Sequence, residues 1–569
     1  MIKNLLLLLN LLNKKEKINL IFFTFLTLFL VLVESLSIGL IVPIISVIFD
    51  QTNEINLIIS NFLNLEMEST ELIKILILIF VLIYMVKSFY VFYYNWYLIK
   101  FSNKVQVRLS SDLLKNYLNL DYTSIIKRNS AELIRNIMAE CGKINNILRN
   151  IIYLISEIFI SLGIIALITL INKEAAISAI TVFLLSSIIY LLIFKNKIKK
   201  LGDEQVYLSK IILKSIIQKI SSYKLINIIR KKTFFVNEFK SDLVKTTKNN
   251  LKVSLINILP RIWIEVFGII SLSIFILYLT SNNYSVEKII TTIGLLAFAS
   301  LRIFPSMSKI TLCLQSLKFV SATLEKVTED INLDKVKKNN FDNLDLINFD
   351  KKIDIKNLDF SFKNNKKILD NTHLLIKKNE SIFLKGESGS GKSTLANIIS
   401  GLIKPDNCNI SIDGRMYNLN EDEIRINCGF VHQETYLLDD TIKKNIAIGL
   451  HVEEINEKIL DEVIKKARLE NFIKSLPNGF NTIVGEKGSQ ISVGQAQRIG
   501  IARTLYHNPD LIIFDEATSA LDNENAIQII DMINEIKTKK AIIFISHDLN
   551  HQNKFDKTIE IINGKLFSV

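Results

Sequence analysis

The chain has 569 residues, is 49% hydrophobic and 22% charged, and carries a formal net charge of +13 with a mean hydropathy of +0.30. A soluble protein of this length rarely averages above zero, so the apolar residues must be clustered and an ordinary soluble chain is disfavoured. The positive excess suits nucleic acid, but in a chain with apolar spans it reads more naturally as basic cytoplasmic loops. Cys141, Cys313, Cys408 and Cys428 are scattered without a CxxC, which argues against a disulfide framework or a zinc site and fits a reducing cytosolic side.

The N-terminal stretch "MIKNLLLLLNLLNKKEKINL" has no small-residue cleavage site, and its basic cluster follows the apolar run. It reads as an interfacial helix leading into the first span rather than a removed signal. A membrane span needs about 20 apolar residues. Runs of that length occupy 18–49, 72–99, 147–171, 175–194, 254–280 and 289–319. Lys14, Lys15 and Lys17 precede the first run, and segments 100–149 and 195–248 are rich in Lys and Arg. The connection 50–71 is acidic without a base, 172–174 is very short, and 281–287 carries no base. The positive-inside rule therefore places both termini in the cytosol. In the outer connection, Ile58, Ile59, Phe62 and Leu65 share one helical face, which predicts a short amphipathic helix outside the membrane.

After Val320 the sequence turns polar, and 321–350 reads as a linker between a membrane domain, 1–320, and a second domain, 351–569. In that domain short Ile-rich strands alternate with helices, the pattern of a parallel α/β sheet. The stretch "GESGSGKST" follows the strand "SIFLK". Gly386, Glu387, Ser388, Gly389, Ser390 and Gly391 form a loop whose backbone N–H groups can curl around phosphates. Lys392 reaches the β and γ phosphates, and Ser393, followed by Thr394, supplies a magnesium ligand at a helix start. The strand "LIIFDE" ends in Asp515, suited to the magnesium shell, and Glu516, suited to orienting or deprotonating an attacking water.

Between these motifs "ISVGQ", 491–495, resembles the signature of ABC transporter ATPases. Gln433 in "FVHQETYLLDDTI" is similar to the Q-loop of that family, and "VGEKG" to its exporter-type X-loop. "SALD", ending in Asp522, resembles the D-loop, and His547 in "FISHD" the switch histidine. Phe362 stands where an aromatic ring stacks on adenine. The resemblance implies ATP and Mg²⁺ as ligands. It assigns Glu516, His547 and Gln433 to hydrolysis, with Ser393, Gln433 and Asp515 around the metal. Ser492, Gly494, Gln495 and Asp522 would complete the ATP site of a second copy. Val493 stands where the family more often has Gly, which implies altered turnover rather than loss. One set of motifs and six spans imply a half-transporter of the type IV exporter fold, working as a homodimer. That is a six-helix transmembrane domain followed by an α/β P-loop nucleotide-binding domain. Segments 119–137 and 221–229 sit where such proteins carry coupling helices.

The stretches "ESLSIGLIVPIISVIFD", "LPRIWIE" and "LRIFPSMSK", with the outer amphipathic segment, resemble the bacterial lipid-linked oligosaccharide flippases of protein N-glycosylation. That resemblance implies movement of a polyprenyl-pyrophosphate glycan across a bacterial inner membrane, with the nucleotide-binding domain cytoplasmic. Lipid A, multidrug and peptide exporters share the architecture, and a non-transporting ABC ATPase is disfavoured by the spans. Lys87, Arg261, Arg302 and Lys309 fall within apolar runs and are expected to line a cavity for an anionic head group. Glu34, Glu157 and Glu265 also fall within apolar runs and complicate that expectation: the charges could instead form internal salt bridges, and Arg261 and Glu265, one helical turn apart, could simply pair. The expected partners are a second copy, membrane lipid and a lipid-linked anion, not nucleic acid.

Overall fold

A computed structural model describes residues 2–40, 69–171, 173–282, 286–336, 345–362, 367–419, 424–519 and 521–569. The predicted outer helix around Ile58, Ile59, Phe62 and Leu65 lies outside the described residues. The chain divides into two compact units, 1–118 with 128–338, and 119–127 with 339–569.

The first unit is helical. In chain order it contains α1 (Ile2–Leu11), α2 (Lys14–Gly39) and α3 (Ser69–Leu118). The short α4 (Tyr122–Ile126) belongs to the second unit by its packing. Then follow α5 (Ser130–Arg135), a π-helical turn over Asn136–Glu140, α6 (Cys141–Ile171) and α7 (Lys173–Ser221). The unit ends with α8 (Tyr223–Ile228), α9 (Lys232–Ser281), α10 (Val286–Phe319) and α11 (Ser321–Val336). Five of the six expected spans lie in α3, α6, α7, α9 and α10; of the first, 18–49, the part through Gly39 lies in α2 and 41–49 fall outside the described residues. Among the described residues, Lys14–Ser37, Ile73–Leu118, Ser130–Thr169 and Lys232–Ser281 are each long and apolar enough to cross a membrane. At 1.5 Å per residue the 50 residues of α3 reach about 75 Å, far beyond a hydrocarbon layer of about 30 Å. The basic segments expected as cytosolic connections are therefore continuations of the spanning helices. Leu30, Ile160, Ile164, Ile264 and Ile303 form the shared apolar core.

Two expectations change here. The segment expected as a linker is helical over α11. Leu324 and Val327, one turn apart, are fully buried, and that apolar stripe holds α11 against α1 and α3. The N-terminal helix α1 also packs on this unit: Leu8 and Leu11 are buried, and the Asn4 side chain donates to the Leu317 carbonyl at 2.8 Å. One side of the helix thus packs on protein, where an interfacial helix was expected to meet lipid, while Leu6 stays exposed. The expected coupling segments contain the short helices α4 and α8.

In the second unit, strands β1 (Asp345–Ile347), β2 (Lys352–Ser361), β3 (Lys367–Lys377) and β4 (Ser381–Gly386) precede α12 (Lys392–Ile399). Next come β5 (Asn407–Ile412), β6 (Arg415–Asn418), β7 (Ile424–Ile426) and β8 (Cys428–Val431). The helices α13 (Ile442–Ile446), α14 (Glu457–Lys466), α15 (Glu470–Ser475) and α16 (Val493–Tyr506) lead to β9 (Leu511–Asp515). The unit closes with α17 (Asn523–Ile536), β10 (Ala541–Ile545), β11 (Lys557–Ile562) and β12 (Lys565–Ser568). The main sheet has the order β12-β11-β4-β10-β9-β8, parallel from β11 to β8. A parallel sheet is covered on both faces, which is why "LIIF" and "AIIFI" are apolar without alternation and fully buried. An antiparallel sheet, β3-β2-β5-β6, shares an apolar core with β4 and α12, and Tyr122 of α4 packs against that core. Strands β4, β10 and β9 are direct neighbours, so their carboxyl ends deliver three motifs to one place.

Candidate functional site

The loop after β4 carries Gly386, Gly389 and Gly391 at φ 154°, 82° and 109°. A Cβ on Gly386 would lie 2.8 Å from the Ile561 carbonyl oxygen, so that turn requires glycine. The ammonium of Lys392 donates to the carbonyls of Gly386 and Glu387, both at 2.9 Å. Burial lowers the Lys392 pKa, opposed by the charges of Glu516 and Asp515. The Ser390 hydroxyl oxygen is buried without a hydrogen-bond partner inside this loop. An orphaned hydroxyl beside a caged ammonium at a helix start matches what a polyphosphate needs.

On the other side, the Ser393 hydroxyl donates to Asp515 at 3.4 Å. Burial pushes the Asp515 carboxyl up, with Glu516 adding to the shift and Ser393 opposing it. A half-buried carboxylate with a hydroxyl beside it is a hard oxygen pair, the donor chemistry magnesium takes. Glu516 follows at φ 52°, and its N–H donates to the Ile545 carbonyl at 3.0 Å. One carboxylate oxygen lies 3.1 Å from Nε2 of His547 and the other accepts from the Gln433 amide at 2.9 Å. The same amide nitrogen donates to Ser519 at 3.2 Å. Gln433, Glu516 and His547 therefore meet. A metal would take the Gln433 amide oxygen, not the nitrogen used here.

The adenine candidate Phe362 is 42% exposed and held edge-on by Phe360 at 5.1 Å. The signature residues lie at the start of α16. Ser492 and Gln495 form a capping box, each side chain accepting from the other's backbone N–H. Val493 is exposed, and a Cβ on Gly494 would meet only Leu521, at 3.5 Å. Glycine at 494 is thus not demanded by packing within the chain. Asp522 stands at the N-cap position of α17 and accepts from Asn525 at 2.6 Å.

Two contributors escaped the sequence reading. His432 sits near Asp515, its pKa lowered by burial against the pull of that carboxylate. Gln497, fully buried, donates to the His432 carbonyl at 3.0 Å and accepts from Thr435 at 2.9 Å, tying α16 to the Gln433 loop. Their neighbours in "VHQ" and "GQAQR" carried the motifs; only the fold reveals the link.

The intramembrane charges divide. Glu34 of α2 accepts from Arg302 at 2.6 Å and lies 3.1 Å from the Lys87 ammonium. Glu157 of α6 lies 3.2 Å from Arg302, 2.9 Å from Lys309 and 2.7 Å from the Ser306 hydroxyl. These bases, expected as a basic lining, are instead locked to two carboxylates, because an unpaired charge at that depth is costly. Among the described residues three bases face two acids in this network, an excess of one positive charge, and Lys309 keeps 53% of its side chain exposed. Arg261 does not join them. It pairs with Glu265 at 2.8 Å on an exposed face, since the i,i+4 spacing makes that partner nearest.

Residues 17–301 match the ABC transporter transmembrane region, half of the chain, and residues 369–519 match the ABC transporter domain. The chain belongs to the ABC transporter family. The general activity of that family is transport coupled to ATP hydrolysis. The transporter is 27% identical over 507 residues to a putative export ATP-binding/permease protein of Rickettsia bellii, covering 86% of this chain and 85% of that one. It is 31% identical over 355 residues to an ATP-dependent lipid A-core flippase of Francisella tularensis, covering 61% and 57%. Three other curated relatives match over 38% of the chain, which spans only 17%, 36% and 39% of their lengths. In fold the transporter is similar to a bacterial Atm1-family ABC exporter solved with ATP bound. The TM-score is 0.76 at 18% identity, over 97% of this chain and 94% of that one. The 569 residues carry one transmembrane region followed by one nucleotide-binding domain, the order seen in that exporter's fold.

Proposed function

We propose that the transporter works as a homodimeric, ATP-driven flippase. It moves a lipid with an anionic, phosphate-bearing head group from the cytosolic to the outer leaflet of a bacterial inner membrane, with the nucleotide-binding domain cytoplasmic. The observation that carries the substrate reading is the four-helix charge network, whose excess positive charge and partly exposed Lys309 offer a phosphate its counter-charge. In a two-fold dimer the excess doubles. Arg302 presents a guanidinium fork already aimed by two carboxylates, and phosphate oxygens compete for that same geometry. The first candidate is the polyprenyl-pyrophosphate glycan. A second, lipid A-core, is favoured by the name of the Francisella relative.

The energy-yielding step follows from the first site. Lys392, the Ser390 hydroxyl and the backbone of 386–391 hold the phosphates. Magnesium, when held by Ser393, Asp515 and Gln433, neutralises charge on them. Glu516 aligns a water and takes up its proton, while His547 and Gln433 fix the carboxylate. Ser492, Gly494 and Asp522 of a second copy close the site.

The test is reconstitution of purified protein in liposomes with each of the two lipids, reading ATP-dependent appearance in the outer leaflet. Flipping of the pyrophosphate glycan above lipid A, lost in Glu516→Gln, supports the first candidate; the reverse order promotes the second. Equal movement of a neutral lipid overturns the anionic reading.

A further inference from the structure

We propose that the groove between α7 and α9, at the cytosolic ends of their spans, binds an anionic phospholipid of the cytosolic leaflet. It is separate from the charge network and does not rest on the flippase reading. The groove has a volume of 640 Å³ and carries Lys197, Lys200 and Lys252 against one acid, Glu204. None of these lysines makes an ion pair with the described residues. The floor is apolar: Leu201 and Ile256 are buried in it. Leu255, Ile258 and Ile262 continue along α9 as its lip, each more than half exposed.

Depth decides the occupant. The apolar run of α7 ends at Phe194 and that of α9 begins at Ser254. At 1.5 Å per residue, Lys197 lies about 5 Å beyond the hydrocarbon edge, Lys200 about 9 Å and Lys252 about 3 Å. The polar interfacial layer is roughly 5–7 Å thick on each side, so all three ammonium groups can reach the level of lipid phosphates. Glu204, about 15 Å beyond the edge, falls below it. The lip residues Leu255, Ile258 and Ile262 lie at hydrocarbon depth. One ligand matches both halves: a phosphate head on the lysines and an acyl chain along α9. A soluble phosphate leaves the apolar half uncovered. An acidic peptide would have to bury backbone in hydrocarbon, where its polar groups find no partners. Basic pockets between spanning helices on the cytoplasmic side are suited to anionic lipid head groups.

The experiment uses the full-length protein in detergent, titrated with phosphatidylglycerol and phosphatidylcholine and read by native mass spectrometry. A phosphatidylglycerol with a photoreactive acyl chain maps the contact. Retention of phosphatidylglycerol at least tenfold over phosphatidylcholine is expected, with crosslinks on 255–262. Each lysine contributes about fivefold, so the K197Q/K200Q/K252Q variant should bind on the order of a hundredfold more weakly, and K197R/K200R/K252R as wild type. Should the glutamine variant fail to fold, the wild-type selectivity and crosslink map decide alone. Equal retention of both lipids, crosslinks confined to other helices, or displacement by glycerol phosphate at equal concentration would overturn the proposal. So would a disulfide between two copies bearing Ile258→Cys, which would show a second copy covering the groove.

Discussion

Glu516 combines a left-handed backbone with a carboxylate gripped from both sides. A non-glycine residue at φ 52° is strained, and the Ile545 carbonyl, His547 and Gln433 hold it there. Replacing it with Gln keeps the size but removes the proton acceptor. Turnover should fall by at least ~10² while ATP binding persists, read as phosphate release beside equilibrium nucleotide binding. The signature residues predict a graded response. Val493 is exposed at the first turn of α16, so Val493→Gly should change turnover by less than about tenfold. Gly494→Asp has room among the described residues and should leave the unfolding midpoint in place while turnover collapses, since in the proposed dimer the obstruction would face the second copy. Ser492→Ala removes the cap of α16 as well as the phosphate contact proposed for that hydroxyl, and should lower both.

Among the helices, two contacts set the geometry of the membrane unit. Gly202 of α7 lets the end of α10 come close: a Cβ there would sit 2.1 Å from the Phe319 carbonyl oxygen, a backbone atom that cannot swing away. Gly202→Val should therefore lower the thermal midpoint of the solubilised protein by several degrees, and Gly142→Ala, with only Gln106 near, should not. The second contact is Asp330 of α11. Buried, it accepts from Tyr117 at 2.7 Å, Asn136 at 2.9 Å and Arg128 at 3.1 Å. The chain passes between the two units at 118/119, 127/128 and 338/339, and Tyr117, Arg128 and α11 adjoin those passages. The π-helical turn that holds Asn136 lies in the same cluster. Asp330→Ala should cost about 3 kcal/mol by stranding three donors, and Asp330→Asn less. Substrate-stimulated ATPase should drop further than the basal rate in both.

Across the whole transporter, the proposed function rests on the charge network and on pairing with a second copy. Arg302→Ala removes the residue shared by Glu34 and Glu157 and should abolish flipping with basal ATPase retained, and Arg302→Lys should recover only part. Arg261→Ala should be nearly silent, because among the described residues its ion-pair partner is Glu265, one turn away on the same helix, and its side chain is 76% exposed. Equal loss in both variants, read as lipid movement in liposomes, would return Arg261 to the head-group site. Pairing is tested by cysteines at Ser388 and Val493 in a cysteine-free Glu516→Gln protein. A crosslink between copies that needs ATP is expected; one that forms without it would place the signature elsewhere.

Much of this was legible in the sequence because it rests on local physics. Spans announce themselves by length and hydropathy, and the phosphate loop, "LIIFDE" and "ISVGQ" by fixed spacing between a strand and a helix. Parallel strands buried on both faces are apolar throughout, so the second domain was readable from composition. What needed tertiary structure was partnership. Nothing in the spacing of Glu34, Lys87, Glu157, Arg302 and Lys309 says that four helices bring them to one network, whereas Arg261 and Glu265, neighbours on one turn, settle their pairing locally. The polarity of 321–336 concealed a helix whose buried side chains, among the described residues, include just two large apolar ones, Leu324 and Val327, beside Thr323 and Asp330. A charge's cost in an apolar environment depends on what stands opposite it, and in this chain the opposite residue is often more than a hundred positions away.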